Sequence, residues 1–332
     1  MKKSLVDVPV LLLFFVRPDK TAQVFEQIRK ARPSKLYLFQ DGPRDGRADD
    51  IENVKKCREV VENIDWECEV HRNYCDRNFG CDPSGYLSRK WVFETENKAI
   101  ILEDDCVPSV SFFGYCKELL ERYKDNEKIQ MICGYNPIDY YDNGSGADYF
   151  FSQVSSIWGW ATWKRVVDTW DSEYKWMEDP KQRDKVISGL PSAKEKKQFY
   201  SACERHKASG VEYFETINAS NMYIYDRVAI NPTYNMISNI GVGNHTSHSV
   251  SDLNLMPRAT RRLLYKDVHE YEFPLKHPDE IVCDYNYKAE VDKALGNIGI
   301  GKIINKIESR YLLLRYGGIK GIIAKFKKKL KR

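Results

Sequence analysis

Three consecutive carboxylates, Glu103-Asp104-Asp105, stand directly after the apolar run Ala99-Ile100-Ile101-Leu102. A buried strand that ends in acids delivers them to the carboxyl edge of a sheet, where open α/β sheets bind ligands. Alternation along an extended chain puts Glu103 and Asp105 on one side and Asp104 on the other, so the acids divide their roles. Adjacent carboxylates repel one another unless a cation offsets them. A hard divalent ion such as Mg²⁺ or Mn²⁺ takes oxygen ligands, and one or two carboxylates suffice when phosphate oxygens and water complete its shell. The alternative is structural: Asp104 and Asp105 solvate a loop or cap the helix near Ser109. A second cluster is aromatic. In SSIWGWATW, residues 155–163, Trp158 and Trp160 flank Gly159 and offer faces for the C–H side of a pyranose ring, with core packing as the competing role and the one assigned to Trp163.

The elements that must position these groups follow from hydrophobic period. Residues 8–16 are continuously apolar, as in a strand buried on both faces. Helical spacing over 19–31 ends at Pro33, and 35–40 is a second strand closed by the turn Asp41-Gly42-Pro43. Helix is expected over 50–64, 84–95 and 109–124, and strand over 66–71, 99–102 and 129–133. This alternation predicts a mostly parallel α/β sheet flanked by helices, with residues 1–135 as its nucleotide-binding half. After a Tyr, Asp and Gly-rich loop, helical patterns return at 161–170 and 193–209, and strand-like runs at 222–225 and 228–230.

Composition bounds the rest. The 332 residues are 42% apolar and 30% charged, a globular composition. The apolar stretch near the start is far too short for a spanning helix and lacks a cleavage site, so a cytoplasmic chain is expected. Nine cysteines without a CxxC pair suit reduced thiols, and Cys68, Cys75 and Cys81 with His71 match no zinc spacing. Residues 302–332 hold 11 of the 52 Lys+Arg and one of the 48 Asp+Glu, so this segment carries +10 and the remainder −6. An acidic body argues against a nucleic-acid-binding enzyme, whose catalytic face would need to be positive. The basic end, with Ile303, Ile304, Ile307, Tyr311 and Leu314 at near-helical spacing and a break at Gly317-Gly318, reads as an amphipathic helix at an anionic membrane surface, or else as a solvated tail.

An apolar strand, the EDD triplet, a Pro and a helix opening SFFGYCKELLERY resemble the metal-binding segment of GT-A glycosyltransferases. The EDD form is similar to that of the inverting N-acetylglucosaminyltransferases and a group of bacterial sugar transferases. The opening strand ending at Arg17, the QDGPR turn, the NFG loop (78–80), WGWATW and SNIGVGNHTSH follow in the expected order, so the likeness spans residues 8–250. It implies a GT-A domain over 1–250 with an acceptor half at 136–250, a connection at 251–301 and the basic extension at 302–332.

The resemblance implies roles residue by residue. Arg17 and Asp41 would contact the nucleotide diphosphate and its base, chemistry that suits a guanidinium fork and a carboxylate accepting an imide N–H. Asn78, Glu103 and Asp104 would complete the donor site, Asp104 beside the ribose, and Asp105 would hold Mn²⁺ or Mg²⁺ with His248. His245 stands where the pattern has an acid. The general base falls at Glu212, with Glu215 one turn further on as the alternative, and both Trp that flank the acid in the pattern are replaced here. Trp158, Gly159 and Trp160 would meet the sugar or acceptor. The implied reaction is metal-dependent inverting transfer from a UDP-sugar to a glycan, lipid-linked at the inner face of the membrane. The rival readings are a sugar nucleotidyltransferase, which normally has a glycine-rich loop where this chain has Arg17-Pro18-Asp19-Lys20, and an inactive homologue that binds glycans or partners.

Overall fold

The apolar run at the start becomes β1 (Val10–Phe14), and its side chains serve two cores at once. The computed structural model describes residues 1–243 and 252–316. Val10, Leu12 and Phe14 pack on one face with Leu36, Ile100 and Leu102, while Leu11 joins Tyr37, Phe39, Ile101 and Trp160 on the other. This double burial is why the run is continuous rather than alternating.

The chain continues through α1 (Pro18–Ala31), β2 (Lys35–Gln40), α2 (Ala48–Val61), β3 (Glu69–Tyr74), α3 (Cys81–Val92), β4 (Lys98–Glu103), β5 (Cys106–Pro108), α4 (Ser111–Arg122) and β6 (Ile129–Cys133). Then come β7 (Tyr149–Ser152), β8 (Trp160–Trp163), α5 (Lys164–Val167), α6 (Pro180–Gly189), α7 (Ala193–Ser209), α8 (Phe214–Ile224), β9 (Val228–Pro232) and β10 (Ile237–Asn239). Short α9 (Arg258–Arg261), α10 (Asn286–Ala294) and α11 (Gly299–Tyr316) complete it. α1 starts with Pro18 at its first turn and Asp19 beside the positive helix end, buries Val24, Phe25 and Ile28, and stops at Arg32 in the left-handed region before Pro33.

The main sheet has eight strands in the order β3-β2-β1-β4-β8-β6-β9-β7. β3, β2, β1 and β4 are parallel, as are β6 and β9, while β8 and β7 run antiparallel to their neighbours. The architecture is therefore the α/β, mostly parallel, helix-flanked sheet that the sequence predicts. Three local expectations are corrected. The start of 161–170 is β8, a fully buried strand in which Trp160 pairs with Ile101 and Ala161 with Ile100. Residues 222–225 are not strand, because Met222 and its neighbours close α8 with one buried face. The third strand lies three residues later than 66–71, since Trp66 is committed to the core with its indole N–H on the Pro33 carbonyl at 2.8 Å.

All nine cysteines are free, and His71 stacks on Tyr37 with centroids 4.4 Å apart rather than joining Cys68, Cys75 and Cys81. The segment 252–301 packs back onto the domain, burying Leu275 in the first core and Tyr287 against Phe150. No described helix is long and apolar enough to cross a membrane.

Candidate functional site

Three neighbouring parallel strands end at one edge, and each hands on a functional side chain: β1 leads to Arg17, β2 to Asp41, and β4 to Glu103, Asp104 and Asp105. Asp104 turns inward and is 3% exposed, accepting the Phe15 N–H at 3.3 Å and pairing with Arg17. Arg17 Nη1 also meets Asp105 Oδ2 at 2.9 Å. Burial works against the Arg17 charge, but the two carboxylates outweigh it and its pKa is raised. Burial likewise pushes the Asp104 carboxyl up, opposed by Arg17. The guanidinium, with 16% of its side chain exposed, thus binds the two acids together and still lines the cleft. Arg17→Met leaves Asp104 buried without its counterion, and a loss of about 3–5 kcal/mol is expected in urea unfolding at neutral pH. A loss below about 1 kcal/mol would show that the Asp104 charge is satisfied without Arg17.

Glu103 and Asp105 face a cleft of about 250 Å³, and Asp104 is not part of its wall, as strand alternation predicts. The charged wall comprises Arg17 and Arg89 against Asp82, Glu103, Asp105 and Glu215, a net of −2. That balance suits one divalent cation. Among the described residues no group of three or more His, Cys, Asp and Glu side chains is placed to hold a metal. Asp105 and Glu103 on the wall offer carboxylate oxygens of the kind a hard divalent ion takes, with other oxygen ligands needed to complete its shell. His248, expected as the second metal residue, lies with His245 outside the described residues.

Arg89 was not singled out from the sequence, and it organises the cleft. Its side chain is wholly buried, with Nη2 on Glu103 Oε1 at 2.9 Å, Nη1 on the Gly85 carbonyl at 2.6 Å, and its guanidinium carbon 4.2 Å from the centre of the Phe214 ring. Burial raises the Glu103 pKa, and Arg89 opposes that shift. Phe214 also stacks on Trp160, with centroids 5.7 Å apart, so one arginine ties the end of β4 to the first turn of α8. The next residue, Glu215, lines the cleft. Glu212 sits in the preceding loop, half-buried, and does not line it.

Asp41 is enclosed by the NFG loop. Its carboxylate accepts the N–H groups of Gly42 (3.0 Å), Phe79 (2.8 Å) and Gly80 (3.0 Å) and the Asn78 amide (2.9 Å). Burial pushes its pKa up and these backbone donors pull it back. Asn78 also reaches the Gly42 carbonyl at 2.8 Å, so the pair fixes the loop that leads into α3.

A short antiparallel ribbon, β5 with β10, brings Asn239 opposite Cys106 just beyond the triplet. Ile240 N–H donates to the Asp105 carbonyl at 2.8 Å, and the backbone at Gly241 passes so close that a methyl there would overlap Asp105 Oδ2. Lys20, which no sequence pattern marks, is buried and donates to the Val242 carbonyl at 2.8 Å, holding this crossing to α1.

The tryptophans separate. Trp158 lines the cleft, Trp160 is sealed in the second core, and Trp163 is in the first with its N–H on the Leu120 carbonyl at 3.0 Å. Trp160 thus corrects the sugar-contact expectation: as a strand residue it faces Phe214 and Arg89. Gly159 has φ of 64°, and a methyl on it would overlap Ile237 Cδ1, so its place is a turn that only glycine makes without strain.

No protein-family model matches the chain, and no curated protein matches its sequence. Among solved structures the chain is similar to a UDP-glucose pyrophosphorylase complexed with UDP-glucose, at 6% identity over 69% of this chain and 91% of that one, TM-score 0.34. It is also similar to a 4-diphosphocytidyl-2C-methyl-D-erythritol synthase from Anaerococcus prevotii, at 10% identity over 74% and 94%, TM-score 0.34. A third is the inositol-1-phosphate CTP transferase from T. maritima, at 11% identity over 50% and 74%, TM-score 0.29. Likeness at this level carries no argument about activity, and the fold stands on the sheet order itself.

Proposed function

We propose that the chain is a metal-dependent inverting glycosyltransferase that moves a sugar from a nucleotide diphosphate donor, UDP-sugar being the expected one, to a hydroxyl of a glycan. The observation that carries this reading is the cleft at the strand ends, where Glu103, Asp105 and Arg17 face Glu215 across a wall of net charge −2. In the proposed reaction the bond from the anomeric carbon to the diphosphate breaks, a bond to the acceptor oxygen forms on the opposite face, and Glu215 takes the acceptor proton. Asp105, with diphosphate oxygens and water, would hold Mn²⁺ or Mg²⁺, which when bound neutralises charge on the departing diphosphate. Arg17 keeps Asp105 fixed, Arg89 keeps Glu103 and the start of α8 in register, and Trp158 gives the sugar an aromatic wall. The basic end of the chain, 302–332, places the enzyme at an anionic membrane surface.

Nucleotidyl transfer is the rival. Against it stands the turn after β1, where Arg17-Pro18-Asp19-Lys20 enters α1 directly with no glycine-rich loop to wrap a triphosphate. Calorimetry with UDP, GDP, dTDP and CMP, each with Mn²⁺ and with EDTA, tests the reading. Metal-dependent UDP binding and slow release of UDP from a UDP-sugar are expected. Release of pyrophosphate from UTP and a sugar 1-phosphate would replace this reading with nucleotidyl transfer, and binding of none of the four nucleotides would leave an inactive homologue.

A further inference from the structure

Helix α11 presents two arcs. At 100° per residue, Asn305, Glu308 and Leu312 share one of them and hold the helix to the body. Asn305 Nδ2 donates to the carbonyls of Leu295 (2.8 Å) and Gly296 (3.1 Å), Glu308 accepts the Arg258 N–H at 3.1 Å, and Leu312 is buried. Ile300, Ile303, Ile304, Ile307, Tyr311 and Leu314 fall on the other arc, about 100° wide, and each is between 51% and 76% exposed. Arg310 borders that arc on one side, with Lys306 about 40° further round, and Arg315 borders it on the other. The chain then runs on into 317–332, which carries seven Lys+Arg and no acid.

A continuous apolar face of this kind marks a contact surface. Its occupant must be apolar in the middle and anionic along both borders. A second copy of the helix meets the first condition but sets bordering cations against bordering cations, whereas a bilayer with anionic headgroups meets both. The same helix also borders a groove of about 1050 Å³, which Lys302 and Asn305 line together with Gln153 and Val154. Val154 and Trp158 then share a smaller pocket, and Trp158 is the wall of the cleft. Residues 154–158 therefore run from the groove beside α11 to the cleft, a span of at most about 18 Å.

We propose that α11 lies in the headgroup plane of an anionic bilayer, its isoleucines toward the acyl chains, and that the groove beside it leads the head of a membrane-anchored glycan along 153–158 to Glu215. The acceptor clause rests on the glycosyl-transfer reading, and the docking of α11 does not.

The test is flotation of the full chain and of the Ile303→Asp/Ile307→Asp variant with vesicles of phosphatidylcholine, alone or with phosphatidylglycerol, across a salt series. The wild type is expected to float only with phosphatidylglycerol and less as salt rises, and the variant to lose at least about tenfold in binding while its UDP binding in solution is unchanged. Equal flotation of the two proteins would overturn the proposal, since the charged end would then suffice without the apolar face. So would a wild type that does not float and is a dimer by light scattering, with the variant a monomer. Flotation as expected with no UDP binding would uphold the docking and remove the acceptor clause together with the glycosyl-transfer reading.

Discussion

The Asp105→Asn variant is expected to bind UDP no better with Mn²⁺ than with EDTA and to lose on the order of 10³ in turnover, the equivalent of about 4 kcal/mol of charge stabilisation. Its fold should survive. Asp105 is on the cleft wall, and Arg17 retains Asp104 as its buried partner when the second carboxylate is removed. Asp104→Asn makes the contrasting case. That side chain faces inward on the Phe15 N–H and Arg17, so its loss should appear as a lower melting temperature more than as lost metal dependence. Thermal shift and calorimetry on the two variants separate the roles without relying on turnover. Equal metal dependence in Asp105→Asn and wild type would remove Asp105 from the metal site.

The second large effect is expected at Glu215. Glu215→Gln should lower kcat by about 10²–10⁴, the usual contribution of a general base, with UDP affinity unchanged. Glu212→Gln should stay within about threefold of wild type. The difference follows from packing. Phe214 is clamped by Trp160, Trp170 and the Arg89 guanidinium, so the first turn of α8 is rigid and Glu215 projects from it into the cleft, whereas Glu212 precedes the helix and lies off the wall. A reversed order of effects would assign the base to Glu212 and require the loop before α8 to move on acceptor binding.

Most of the first half of the fold is legible because β1, β2, β4 and β6 are almost wholly buried and read as continuous apolar runs, which is local information. β8 is not, because Trp-Ala-Thr-Trp fits a buried strand and a helix start equally well, and only the slot between β4 and β6 decides. The acidic triplet and Arg17 could be read from the sequence, since strand ends announce themselves by a change from apolar to charged residues. Arg89 could not. A buried arginine on α3 has no periodic signature, and its partners Glu103 and Phe214 lie 14 and 125 residues away. The same holds for Trp160 against Trp158: two residues apart, they take opposite sides of a turn at Gly159, one toward the core and one toward the cleft.

The position of β8 also bears on how the polypeptide is made. β4 is complete at residue 103, but its outer neighbour is β8, at 160–163, which separates it from β6. While the chain is being synthesised from its amino end, β4 therefore waits some sixty residues with an open hydrogen-bonding edge beside a strongly apolar run. Truncation before residue 160 should yield aggregating protein. Throughout that interval on the ribosome the nascent chain offers this apolar edge to misassembly.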